Sequence, residues 1–247
     1  MKKRSLLLLL CLASWTANAR ENAYDLLGKT LAPFVNLLVL KNKGQAVTAD
    51  LSIIEMTGLP PDETGLPIHL AMENPDKLWL SSKIMGTPTT LCRNAEKIWA
   101  APGTMLGLVL NQLPPAKPGK SEKKTPDFVL QIPENQLAFL PALFQVKDEG
   151  EQTVNQETCR VLLLALNPEL RRAAGKNNGS ARIWVRPGYQ LARIELFKPE
   201  WHVILALNHL EFRQKLPEST WQPPTDQADL LQIEPPKLNQ ILDFIKF

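Results

Sequence analysis

The sequence predicts an α+β fold in which a meander of short antiparallel strands dominates and helices are few. Three observations carry this. Apolar and polar residues alternate with a period of two over several segments, turn chemistry returns after about ten residues, and helical spacing is confined to the opening, the middle and the tail of the chain.

Taken in order, Tyr24, Leu26, Leu27, Leu31, Phe34, Leu37, Leu38 and Leu40 recur at helical spacing and predict an amphipathic helix over 22–40, which Pro33 should end or kink. Val47, Ala49, Leu51 and Ile53 then alternate with Thr48, Asp50 and Ser52, the mark of a half-buried strand. Pro60 to Gly65 is a turn, Ile68, Leu70 and Met72 resume the alternation, and Asn74-Pro75-Asp76 turns the chain into a strand from Leu78 to Met85. Leu91-Cys92 and Ile98-Trp99 flank a further turn at 93–96.

The middle changes character. Residues 104–113 and 134–144 are Leu-rich and predict helices, with Pro141 interrupting the second, and between them Pro114 to Pro126 holds four prolines and four lysines, a solvated connector. Strands return at Cys159–Leu166, Ala181–Arg186, Gln190–Phe197, Trp201–Leu207 and His209–Gln214. Arg186-Pro187-Gly188-Tyr189, Lys198-Pro199-Glu200 and Asn177 to Ser180 supply the turns. Leu238, Ile241, Leu242 and Ile245 give the tail the pattern of a short amphipathic helix.

The first nineteen residues bear on compartment. Lys2, Lys3 and Arg4 precede an apolar run from Leu6 to Ala13, and Ala17-Asn18-Ala19 offers small residues to a signal peptidase, which predicts export, cleavage before Arg20 and a periplasmic protein. The run is too short to span a bilayer, which needs roughly 20 apolar residues. The chain has 28 Lys plus Arg against 25 Asp plus Glu, and the leader holds three of the basic residues, so residues 20–247 are formally neutral. Neutrality argues against a nucleic-acid partner, whose phosphates call for a basic face. Residues 20–247 read as a single domain with the connector at 114–126 inside it.

Catalytic signatures are sparse. There is no G-x-S-x-G elbow and no H-E-x-x-H helix, and His69, His202 and His209 each fall in or beside a strand, where a solvent-facing or hydrogen-bonded role outweighs a metal site. Cys92 and Cys159 belong to no C-x-x-C pair, and read as buried strand thiols more readily than as a disulfide. Trp79, Trp99, Trp184, Trp201 and Trp221 could form a sugar platform, but their apolar strand neighbours favour core or cavity packing. The reading is of a protein that is not an enzyme and holds neither metal nor cofactor.

Several stretches carry a resemblance. They are the turn Asn74-Pro75-Asp76-Lys77-Leu78, the strand pair Asn94-Ala95-Glu96-Lys97-Ile98-Trp99-Ala100-Ala101-Pro102, the segments Val154 to Leu162 and Ala181 to Arg186, and the closing Leu216 to Pro224. Together they resemble the outer-membrane lipoprotein carrier superfamily, the LolA/LolB-like proteins. The resemblance implies an eleven-stranded, strongly curved antiparallel half-barrel wrapped around helices, with an apolar cavity that receives acyl chains of a lipid or lipoprotein.

The alternating positions then nominate a lining: Leu51, Ile53, Leu70, Met72, Leu78, Leu80, Ile98, Val161, Leu163, Ile183, Val185, Ile194, Val203, Leu205 and Phe212. The alternative is a binding or sensor module of the same fold that recognises a partner protein, with Lys117, Lys120, Lys123 and Lys124 of the connector facing an acidic partner or anionic membrane headgroups. A monomer is expected.

Overall fold

In the computed structural model the described residues are 21–38, 44–58, 64–84, 86–94, 97–104, 107, 140–174, 179–223 and 229–233. The leader, the connector at 114–126 and the predicted tail helix lie outside them. So do nearly all of the helix predicted over 104–113 and the greater part of that over 134–144.

The opening helix forms as its spacing requires. Helix α1 (Ala23–Leu38) starts after Asn22, whose Oδ1 accepts the Tyr24 backbone N–H at 2.9 Å, and Asp25 places a carboxylate in the first turn, where the helix dipole favours it. Pro33 does not end the helix. Proline removes one intrahelical hydrogen bond, but Leu26, Leu27 and Leu37 on either side of it are buried, and their packing holds the helix through it. Thr30, also buried, gives its hydroxyl hydrogen to the Leu26 carbonyl at 2.8 Å.

Eleven strands make one antiparallel sheet. Strands β1 (Ala46–Thr57), β2 (Pro67–Glu73), β3 (Lys77–Ile84), β4 (Thr87–Asn94) and β5 (Lys97–Ala101) form one meander. Strands β6 (Phe144–Val154), β7 (Glu157–Leu166), β8 (Ser180–Val185), β9 (Leu191–Lys198) and β10 (Trp201–Arg213) form a second. The two join where β1 pairs along its length with β10, and β11 (Leu231–Ile233) closes the far edge on β5. A short helix α2 (Pro168–Ala174) links β7 to β8. The strand number agrees with what the resemblance implies; among the described residues the helix contribution to the packing is α1 lying against one face.

Four differences from the sequence reading have physical causes. Residues 140–143 form a 3-10 turn and Phe144 begins a strand, because Phe144 and Val146 alternate with Gln145 and Lys147, a period of two that the neighbouring leucines mask. Trp201–Arg213 is one strand rather than two, with a bulge at Asn208 between the pairs Asp50–His209 and Leu51–Leu207. Strand β11 is too short to show periodicity, and α2 offers only a Pro at its start and two arginines at its end.

Apolar cores form on both faces of the sheet. Leu26 and Leu27 of α1 meet Leu162, Leu164, Ile183, Val185, Leu191 and Leu207 of the sheet, all buried. On the opposite face Ala46, Ala71 and Ala101 leave room for the fully buried Trp221, which with Leu216 covers Cys92 and Trp99. The segment carrying Trp221 is fastened by charge. Glu73, buried, accepts the Leu216 N–H at 3.0 Å and lies 3.1 Å from Lys77 Nζ, which also reaches Glu218 at 2.9 Å and sits 5.7 Å from the Trp221 ring centre.

Candidate functional site: the apolar helix-bearing face

Strand register decides which predicted lining residues share a surface, because partners across a ladder point the same way and neighbours along a strand point oppositely. One row runs Leu210–Ala49–Leu70–Leu80–Leu91–Ala100–Leu231 through seven strands. Beside it lie Phe212, Val47, Met72 and Leu78, then the buried Arg93, with Ile98 and Ile233 at the far edge. On the other flank are Leu207 with Leu51, then Ile194 with Leu205 and Ile53, then Leu196 with Val203 and Met56. Ile183 pairs with Ile194 and Val185 with Leu191 on the same face.

Thirteen of the fifteen predicted residues therefore come together: Leu51, Ile53, Leu70, Met72, Leu78, Leu80, Ile98, Ile183, Val185, Ile194, Val203, Leu205 and Phe212. Val161 and Leu163 do not. They pair with Trp184 and Arg182 on the opposite face, and Leu162 and Leu164 occupy the helix-bearing side. Strand β7 reads Val161-Leu162-Leu163-Leu164-Ala165-Leu166, apolar at every position, so alternation cannot tell its faces apart. Leu91, Leu196, Leu207 and Leu210 also belong to the helix-bearing face without having been nominated. Leu196 alternates with Glu195 as Ile194 does, Leu91 stands between Thr89 and Arg93 on its face and so shows no alternation, and the parity of Leu207 and Leu210 depends on the bulge at Asn208.

This face has two regions of different character. Under α1, Ile183 and Val185 are 5% and 2% exposed and fill a closed core with the helix leucines. Phe34 of the helix meets Phe212 edge-on, with ring centres 5.0 Å apart. Across β10, β1, β2 and β3, by contrast, Val203, Leu205, Ile53, Leu70, Met72, Leu78 and Leu80 are only half-buried, and Leu196 is 39% exposed. A continuous apolar stripe inside a well-paired sheet is thus left at intermediate burial. Such a stripe gives non-directional contact to an apolar ligand and no polar chemistry of its own.

This face also carries charge at its two ends, where the register sets the buried Arg93 between Leu78 and Ile98 and sets Arg160 opposite Val185. At the β6–β7 edge Arg160 binds Asp148 Oδ2 through Nε at 3.0 Å and Nη2 at 2.7 Å. The three histidines all lie on the opposite face, each beside a carboxylate: His69 Nδ1 is 2.7 Å from Asp50, His202 Nε2 2.8 Å from Glu55 and His209 Nε2 3.5 Å from Glu211. His202 Nδ1 is also 2.8 Å from the Thr57 hydroxyl. Among the described residues no group of three or more His, Cys, Asp or Glu is placed to hold a metal ion. Cys92 and Cys159 are free and buried in separate cores, and burial pushes the Cys92 thiol up to about 12.

No protein-family model matches the sequence, and a comparison with curated proteins likewise finds no match. Among solved structures the chain is similar in form to the lipoprotein LppX of Mycobacterium tuberculosis, at 10% identity over 75% of this chain and 93% of that one, with a TM-score of 0.42. LprF of Mycobacterium bovis is 11% identical over 76% and 92%, with a TM-score of 0.40. A LolA superfamily protein of Nitrosomonas europaea is 9% identical over 78% and 96%, with a TM-score of 0.31.

Proposed function

We propose that this chain is an exported, non-enzymatic carrier that shelters the acyl chains of a lipid or lipoprotein on the helix-bearing face of its sheet. The observation that carries the proposal is the half-buried apolar stripe from Leu196 through Leu205, Ile53 and Leu70 to Leu80. Each methylene of an acyl chain costs about 0.8 kcal/mol to expose to water, so a carrier must offer an equal apolar surface in exchange. It must also let go. Residues packed in a closed core, as under α1, cannot exchange partners without unfolding, whereas half-buried leucines in an ordered strand can be covered and uncovered with the sheet intact. The sequence resemblance to LolA/LolB-like carriers points the same way, as does the leader at 1–19, which fits a periplasmic site of action. Native mass spectrometry of the protein isolated from its own cell envelope tests the reading. A bound species of lipid or acylated-protein mass, released by detergent, is expected; an apoprotein mass alone, from preparations that retain other lipid-protein complexes, would contradict it.

A further inference from the structure

The face opposite the apolar stripe carries a cleft of about 710 Å³ between the strands β1 to β5 and the segment Ser219–Pro223. Register builds its floor: Thr48 pairs with Ala71, Ala71 with Trp79, Trp79 with Cys92 and Cys92 with Trp99. Asp50 pairs with His69 beside them, and the two side chains lie 2.7 Å apart.

The lining selects a ligand chemistry. Among the described residues Asp50 and His69 are its only ionisable groups, and they occupy each other, so these residues offer no free cation to a phosphate or carboxylate and would set the Asp50 carboxylate against one. An acyl chain fits no better. The hydroxyls of Thr48 and Thr220 and the amide of Gln222 line the cleft with no hydrogen-bond partner among the described residues, and an apolar ligand would strip them of water and return nothing. Trp79 contributes a half-buried indole, and Trp99, 5% exposed, has an Nε1 with no partner among the described residues. An indole surface ringed by hydroxyl, amide and carboxylate groups without net positive charge suits a ligand with apolar C–H faces and hydroxyl edges.

The geometry points to a second binding site here, independent of the acyl-carrier reading, that takes a neutral pyranose saccharide. Its ring lies on Trp79, and its hydroxyls exchange hydrogen bonds with the Asp50–His69 pair, Thr48 and Thr220. The site and the acyl stripe sit on opposite faces of the sheet and meet at Leu70, so Leu205 can be altered without touching the site.

The test titrates the full chain with maltotriose, cellotriose and chitotriose, read by tryptophan fluorescence and saturation-transfer NMR. Saturable binding of at least one, with a dissociation constant on the order of 1 mM, is expected. Trp79→Ala should weaken it about tenfold. Asp50→Asn, at a side chain 47% exposed and so neutral for folding, should weaken it about fivefold, as for one lost hydrogen bond. Leu205→Glu, on the other face, should leave it unchanged. Should Trp79→Ala not fold, Asp50→Asn and Thr220→Val carry the comparison. Absence of saturable binding to all three sugars, binding indifferent to Asp50→Asn and Thr220→Val, or binding abolished in a folded Leu205→Glu protein would each overturn the proposal.

Discussion

At Gln156 the backbone holds φ at +69°, and Asn155 before it at +50°, so the β6–β7 hairpin turns through two left-handed residues. Asn tolerates that conformation, whereas Gln costs about 1 kcal/mol there. Gln156→Gly should therefore raise stability by roughly 0.5–1 kcal/mol, seen as a higher urea midpoint with unchanged slope. Cys92 makes the opposite kind of statement. Its thiol, ordinarily at 9.0, is held up to about 12 by burial, so the folded chain keeps a proton that the unfolded chain releases first. That contribution is whole below pH 9.0 and is lost as pH rises toward 12. Urea midpoints measured through that window should fall more steeply for the native chain than for Cys92→Ala; equal slopes would remove Cys92 from the account. The turn at 155–156 was not legible because neither residue is a glycine, whereas the buried thiol could be inferred from Cys92 standing in an apolar strand without a nearby partner cysteine.

At the scale of elements, β11 shows how little sequence can specify an edge. Three residues carry no periodicity, and β11 is held instead by what surrounds it. Gly103 donates its N–H to the Asp229 carbonyl at 2.9 Å, Thr104 N–H donates to Asp229 Oδ1 at 2.9 Å, and a Cβ on Gly103 would come within 2.6 Å of the Leu231 nitrogen. Gly103→Val should detach β11 and cost about 1–3 kcal/mol, with Ile98 and Ala100 amides losing hydrogen-exchange protection. Full protection in the variant would show that β11 docks by other means. Strands β1 and β2 were legible because polar residues such as Thr48, Asp50, Ser52 and His69 alternate with apolar ones and mark the phase. Strand β7 is apolar on both faces, and there the phase slipped by one residue at Val161 and Leu163. In β10 the break at Asn208 was legible, but as a gap between strands; its bulge keeps Val203, Leu205 and Phe212 on one face despite their mixed spacing.

At the scale of the whole molecule, one sheet presents a closed core, a half-buried apolar stripe and, behind them, a cleft lined by two tryptophans and several hydroxyl groups. Alternation alone could nominate residues for the helix-bearing face, but it could not separate the stripe from the core, because that division depends on where α1 lies across the strands. The division is testable by placing the same charge in both. Val185, 2% exposed beneath α1, has nowhere to send a carboxylate, and burial of an unpaired one costs several kcal/mol, comparable with the whole stability of a domain. Val185→Glu should fail to accumulate as folded protein. Leu70, half-buried on the stripe, can turn its replacement to water, and Leu70→Glu should keep its strand signal in circular dichroism and its cooperative unfolding.

Whether this stripe holds acyl chains is read most directly by equilibrium binding of a dansyl-labelled long-chain fatty acid to the native chain, Leu70→Glu, Leu205→Glu and, as a control on the opposite face, His202→Ala. Saturable binding to the native chain and to His202→Ala with equal affinity is expected, with a loss of at least about tenfold, or roughly 1.4 kcal/mol, in the two folded glutamate variants. Undiminished binding by folded Leu70→Glu and Leu205→Glu, or binding lost in folded His202→Ala, would contradict the acyl-carrier reading.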